Sequence, residues 1–216
     1  MVLLVNTKKM INIALLLAVI TVFYNILEGL ISVYFGVEDE TLSLFGFGLD
    51  SFVEVMSGIG IWHMIMRIKN NKSRNTDNFE KTALKVTGIS FYILTIGLIL
   101  TVAYNVYTGH KPKTTFWGVI ISSISILTMI LLMYFKLNAG KKLKSDAIIA
   151  DAHCTKTCVY LSIVLLAASV LYEIFKIGYI DSAGALLIAY YALKEGKESI
   201  EKSKGKQCDD CCAKKF

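Results

Sequence analysis

The chain has 216 residues, 55% of them hydrophobic, with one proline and a mean hydropathy of +0.56. That composition excludes an ordinary water-soluble domain and points to an integral, multi-pass membrane protein. The formal net charge of +6 does not read as nucleic-acid binding, because Lys and Arg sit between apolar runs and at the chain ends rather than in a basic stripe interleaved with aromatics.

Six apolar segments, near 10–36, 43–66, 83–107, 115–136, 146–175 and 179–195, are each long enough at about 1.5 Å per residue to cross a hydrocarbon core of about 30 Å, the last if tilted or short. The fold expected is an all-α membrane protein with six transmembrane helices. Residues 1–200 are expected to form the six-helix transmembrane domain and residues 201–216 a flexible, Cys-rich cytoplasmic tail. Lys8 and Lys9 precede the first apolar run as in a signal peptide, but the run is too long and has no small-x-small cleavage site before Glu28, so it reads as a retained span.

Charge sorts the connections into two sets. Lys8, Lys9, Arg67, Lys69, Lys72, Arg74, Lys81, Lys136, Lys141, Lys142, Lys144 and the lysines from Lys194 onward fall on one side; Glu38, Asp39, Glu40, Lys111, Lys113 and Lys176 fall on the other. The lysine-rich side should be cytoplasmic, which places both termini there. The polar stretch 67–82 is then a cytoplasmic connector.

In the first segment Asn25 and Glu28 lie three apart on one face. They read as a polar contact between helices, or else as a wall of an ion path or a modulator of the acids Asp50 and Glu54 in the next segment. The second segment carries the chain's sharpest feature, Asp50 and Glu54 inside an apolar run. On a helix they stand about 40° apart around the axis and about 6 Å apart along it. Two carboxylates so placed repel unless a cation or protons lie between them, and each costs about 2.5–3.5 kcal/mol in a membrane helix, so an intramembrane cation site titrating as a coupled pair is expected.

The third and fourth segments read as scaffold, with Ser122, Ser123 and Ser125 as packing residues. The fifth opens with Asp151, His153, Cys154, Thr155 and Cys158. With Asp151 at 0°, Cys154 falls near 300°, Thr155 near 40° and Cys158 near 340°, all within about 100° of arc, while His153 near 200° points away. Cys154 and Cys158, one turn apart beside Asp151, therefore read as a ligand pair, although a lone buried Cys is usually a small hydrophobe. Counting depth from the lysine-rich ends puts Glu54 and Cys158 each about 18 Å in, so the two pairs can meet. Asp181, opening the sixth segment, reads as an interfacial or helix-capping acid rather than a ligand. Five cysteines are an odd number, which argues against a disulfide framework and for thiol or thiolate chemistry. Cys208, Cys211 and Cys212, beside Asp209 and Asp210, either capture a soft cation or form a dispensable tail.

The run Gly48-Leu49-Asp50-Ser51-Phe52-Val53-Glu54-Val55-Met56-Ser57 resembles the second-helix motif of the cation diffusion facilitator family. Ala150-Asp151-Ala152-His153-Cys154-Thr155-Lys156-Thr157-Cys158 resembles its fifth-helix motif, and Asp181 to Ala189 with Lys194-Glu195-Gly196 its sixth helix. The resemblance is to the short branch without a cytosolic C-terminal domain. It implies a transporter rather than an enzyme, usually a homodimer in the lipid bilayer, exporting divalent metal in exchange for protons by alternating access, with the metal as substrate and no resident cofactor. By position, Asp50 and Glu54 match the first ligand pair, and Cys154 and Cys158 occupy the places usually held by His and Asp. Asp151 and Glu28 join as further candidates. Thiolates favour softer ions, so Zn²⁺ or Cd²⁺ is expected ahead of Mg²⁺, Ca²⁺ or Mn²⁺. The competing readings are a membrane thiol oxidoreductase, which leaves Asp50 and Glu54 unexplained, and a passive divalent-cation channel.

Overall fold

The computed structural model describes residues 2–69, 78–109, 111–143 and 146–204; side chains are described throughout these except at 2–9, 68, 79–80, 146–147, 150–151 and 153–154. Among the described residues it contains six helices and no strand: α1 (Val2–Glu38), α2 (Leu42–Lys69), α3 (Asn78–Thr108), α4 (Phe116–Leu143), α5 (Asp146–Phe175) and α6 (Gly178–Ser203). The chain's one proline, Pro112, falls in the α3–α4 connection, so no helix is interrupted by a missing backbone donor. The centre of the 67–82 connector and the Cys208, Cys211 and Cys212 tail lie outside the described residues.

Five helices, α1 to α5, contain windows long and apolar enough to cross a membrane. The far half of α6 is diluted by Lys194, Glu195, Lys197, Glu198, Glu201 and Lys202, yet its near half is built into the bundle through Ala185, Ile188, Ala189 and Ala192, all buried. The distribution of polarity is that of a protein in lipid. Phe23, Ile93, Leu100 and Leu127 face outward, while Asn25, Ser32, Asp50, Ser125 and Ser162 are buried inside the bundle. A lipid-solvated surface has no need to hide its leucines, whereas polar groups must find partners inside.

α1 packs chiefly on α2, α4 on α5, and α3 on α6; α1 also meets α4, and α2 touches α3, α5 and α6. Small residues set the closest approaches. A Cβ on Gly48 would lie 2.8 Å from the Val33 backbone nitrogen and 2.9 Å from Ser32 Cβ, so α1 and α2 could not come this close with any larger residue there. Gly88 of α3 and Gly196 of α6 meet in the same way, a Cβ on Gly88 falling 2.9 Å from the Gly196 carbonyl.

The last turns of α2, α4 and α6 carry Arg67 and Lys69, Lys141 and Lys142, and Lys202, where a cation complements the helix dipole. These define one lysine-rich end of the bundle. At the opposite end Lys113 pairs with Glu40 at 2.9 Å and its backbone N–H donates to the Asp39 carbonyl at 2.9 Å, so the two loops assigned to a common side by charge do meet. Glu40 beside it holds the Lys113 ammonium above its usual range.

Two helix starts at this opposite end are capped from other helices. The Asp181 carboxylate, in the first turn of α6, accepts the Leu42 N–H at 2.8 Å and the Ser43 N–H at 3.1 Å, and also the Ser43 hydroxyl. Asp181 thus caps, as its position suggested, but the helix it caps is α2 rather than its own, and it is buried instead of interfacial. Glu173 near the end of α5 does the same for α4, accepting the Thr115 N–H at 2.6 Å and the Thr114 hydroxyl at 2.7 Å. Orphan N–H groups at helix starts are thereby satisfied without water.

Candidate metal centre

Midway along the bundle, α1, α2 and α5 converge on a buried polar centre. Glu54 of α2 accepts a hydrogen bond from the Asn25 amide of α1 at 3.0 Å and one from the Cys158 thiol of α5 at 2.7 Å. Asp50 stands one turn along α2 from Glu54, is 2% exposed, and has an Oδ1 atom with no hydrogen-bond partner. A buried carboxylate oxygen left without a donor is costly, and a cation or a proton is what would satisfy it. The Asn25 Oδ1 atom is buried and unpartnered as well, on the side chain that already reaches Glu54.

Glu28, also buried, sits behind this centre. Its two oxygens accept the Tyr24 hydroxyl at 3.0 Å and the Ser51 hydroxyl at 3.1 Å, and Ser51 is the residue next to Asp50. Ser51 lies equally close, 3.1 Å, to the Phe47 carbonyl, so its single proton is shared between two acceptors. Of the pair picked out on α1, Asn25 therefore makes a direct interhelical contact with Glu54, and Glu28 is linked to the centre through Ser51.

The wall formed by α4 is polar without being charged at this level. Ser125 meets Ser162 of α5 at 2.8 Å, and Ser162 in turn bonds the Cys158 carbonyl at 2.8 Å. Ser122 and Ser123 bond back to their own helix, at 2.6 Å to the Gly118 carbonyl and 2.7 Å to the Val119 carbonyl. Of the three serines, Ser125 ties α4 to α5 and Ser122 is buried in the packing, whereas Ser123 is exposed.

The level count made from the two sequences of residues is met at one contact, Glu54 with Cys158. The side chains of Asp151, His153 and Cys154, on the α5 turns nearer the lysine-rich end, lie outside the described residues. Among the described residues no three His, Cys, Asp or Glu side chains stand close enough together to enclose an ion.

Two residues near the centre escaped the sequence reading. Lys136 of α4, grouped there with the loop lysines, is 2% exposed and donates from Nζ to the Thr155 hydroxyl of α5 at 3.0 Å. Its place was legible in the stripe Ser125, Met129, Leu132, Lys136, Ala139, the buried face of α4 at helical spacing. Glu195 of α6 reaches Thr157 of α5 and acts electrostatically on both Asp50 and Glu54.

A six-helix membrane bundle with carboxylates and a thiol meeting at its centre defines a polytopic carrier for cations. The chain matches the cation efflux transmembrane domain over residues 14–204. It belongs to the cation efflux family and is a divalent-cation efflux transporter embedded in the membrane as a multi-pass protein. No curated protein matches it significantly.

Proposed function

We propose that the chain exports Zn²⁺, or the chemically similar Cd²⁺, in exchange for protons, and that Asp50, Glu54, Cys158 and Cys154 bind the ion in transit. The observation that carries this reading is the Cys158–Glu54 contact at 2.7 Å, two helices meeting through a thiol and a carboxylate, beside the buried and unpartnered Asp50 Oδ1. A mixed sulfur and oxygen donor set suits a borderline-soft tetrahedral ion and disfavours Mg²⁺, Ca²⁺ and Mn²⁺. Asp151 and Glu28 serve in support, Asp151 one turn from Cys154 and two turns from Cys158 on α5, and Glu28 by fixing Ser51 beside Asp50.

Proton exchange follows from ligand chemistry. A thiol or carboxylic acid binds metal in its ionised form, so each such ligand gives up one proton as the ion arrives and regains one as it leaves. If the centre opens alternately to the two sides, the same groups carry protons in one direction and metal in the other. The helix grouping suits such a motion, because α1–α2 and α4–α5 are the extensively packed pairs around the centre whereas α2 and α5, which hold the ligands, touch each other little. A homodimer within the bilayer, and capture of soft cations by Cys208, Cys211 and Cys212, belong to the same proposal.

The test is reconstitution in liposomes containing a pH-sensitive dye, with Zn²⁺, Cd²⁺, Co²⁺, Fe²⁺ and Mn²⁺ added in turn. Proton movement dependent on Zn²⁺ or Cd²⁺, weakened or shifted in metal preference by Cys154→Ala/Cys158→Ala, supports the proposal. Metal flux without proton flux would make the protein a passive pathway instead.

A further inference from the structure

The end of the bundle opposite the lysine-rich one holds the starts of α2, α4 and α6, and the first two are capped from a neighbouring helix, by Asp181 and Glu173. α6 is not capped in this way. Its N-cap residue, Ile177, makes no side-chain bond, and the acid in its own first turn, Asp181, is engaged by α2. The Ile180 N–H returns to the Ile177 carbonyl at 3.1 Å, whereas among the described residues the Gly178 and Tyr179 N–H groups have no acceptor. Both residues line a small cavity, about 50 Å³, between the end of α3 and the start of α6.

Three polar side chains line the same cavity, and each can donate a hydrogen bond. Ser182, one turn along α6 from Gly178, is 8% exposed, and among the described residues its hydroxyl has no hydrogen-bond partner. Asn105 of α3 brings an amide. Gly109, in the left-handed region at φ 68°, ends α3 and turns the chain so that the exposed Lys111 borders the cavity with its ammonium.

We propose that this cavity binds a phosphate group, and that the group belongs to the headgroup of an anionic phospholipid. Orphan N–H groups at a helix start carry the positive end of the helix dipole, and phosphate oxygens accept from N–H, hydroxyl and ammonium alike. Asp181 does not cancel that positive end, because its carboxylate accepts the Leu42 and Ser43 donors of α2. The membrane is the nearest source of phosphate. Tyr104, Tyr107 and Tyr179 point outward at this end of α3 and α6, 67%, 90% and 65% exposed, and tyrosines at the end of a membrane helix mark the headgroup level. A lipid held there supplies the cap that α6 lacks and fastens the packed α3–α6 pair to the bilayer surface.

The measurement is thermal unfolding of the full-length purified protein in a non-ionic detergent, titrated with phosphatidylglycerol, phosphatidylcholine or inorganic phosphate. Phosphatidylglycerol at ten times its dissociation constant should raise the midpoint by about 4 °C. Phosphatidylcholine, whose own choline cation opposes Lys111, should not. Lys111→Gln/Ser182→Ala should lose the rise, and Lys113→Gln, at the same end but paired with Glu40 outside the cavity, should keep it. Inorganic phosphate giving an equal rise that the double variant loses supports the cavity and makes free phosphate its source. An equal rise with phosphatidylcholine, a rise that survives in the double variant, or no rise with either phosphatidylglycerol or phosphate would overturn the inference. Should the double variant not fold, Lys111→Gln alone, at an exposed position, takes its place.

Discussion

Two buried aspartates on neighbouring elements, Asp181 and Asp50, live in opposite circumstances. Asp181 is surrounded by donors, two backbone N–H groups and a hydroxyl at the start of α2, so its carboxylate is fully used in joining α6 to α2. Asp50, two turns further along α2, is equally hidden, but one of its oxygens has no donor. A carboxylate whose lone pairs are spent holds structure together, and one with lone pairs to spare is available to an ion. The same contrast separates Glu173, which caps α4 with one oxygen engaged by Thr114 and Thr115 and the other by Lys176, from Glu54, which meets a thiol that must itself lose a proton to bind metal.

The largest effect that could break this comparison is on transport. Asp50→Asn/Glu54→Gln should lower metal-dependent flux by at least about a hundred-fold, because ligand removal costs more than the 10–100-fold typical of outer-shell changes. Its thermal stability in detergent should fall little, and retained flux would make these acids structural after all. Asn25→Ala comes next, with metal affinity reduced about ten-fold through loss of the bond that orients Glu54, as read by a metal titration.

Asp181→Ala should show the reverse pattern. Leaving the Leu42 and Ser43 donors unsatisfied costs about 2 kcal/mol of stability, visible as a lower midpoint in thermal unfolding, with flux per folded molecule preserved. For Glu173→Ala the corresponding loss is about 1 kcal/mol, smaller because its side chain is partly exposed. Lys113→Ala removes a solvent-exposed pair with Glu40 and should leave the midpoint unchanged within error.

Much of this contrast lay beyond the reach of the sequence. The six helices, the meeting of Glu40 with Lys113, and the matched level of Glu54 and Cys158 follow from hydropathy, loop charge and axial rise, all of which are counted along a single chain. The partner of Asp181 is not, because a cap supplied from α6 to α2 depends on how two remote helices register. Asn25 was visible as a polar residue, yet whether it faced Glu54 or another helix depended on the close approach that Gly48 permits. Lys136 shows a different failure. A rule that assigns lysines beside an apolar segment to the membrane surface overrode the helical stripe that placed it inside.

The central claim is that the helix thiols and carboxylates together bind the transported ion. Its most direct test is X-ray absorption at the cadmium edge on the purified Cd²⁺-loaded protein, with Cys208, Cys211 and Cys212 replaced by Ser. The account predicts sulfur as well as oxygen in the first coordination shell, with the sulfur lost in Cys154→Ser/Cys158→Ser. A shell of oxygen and nitrogen alone, indifferent to Cys158, would contradict it.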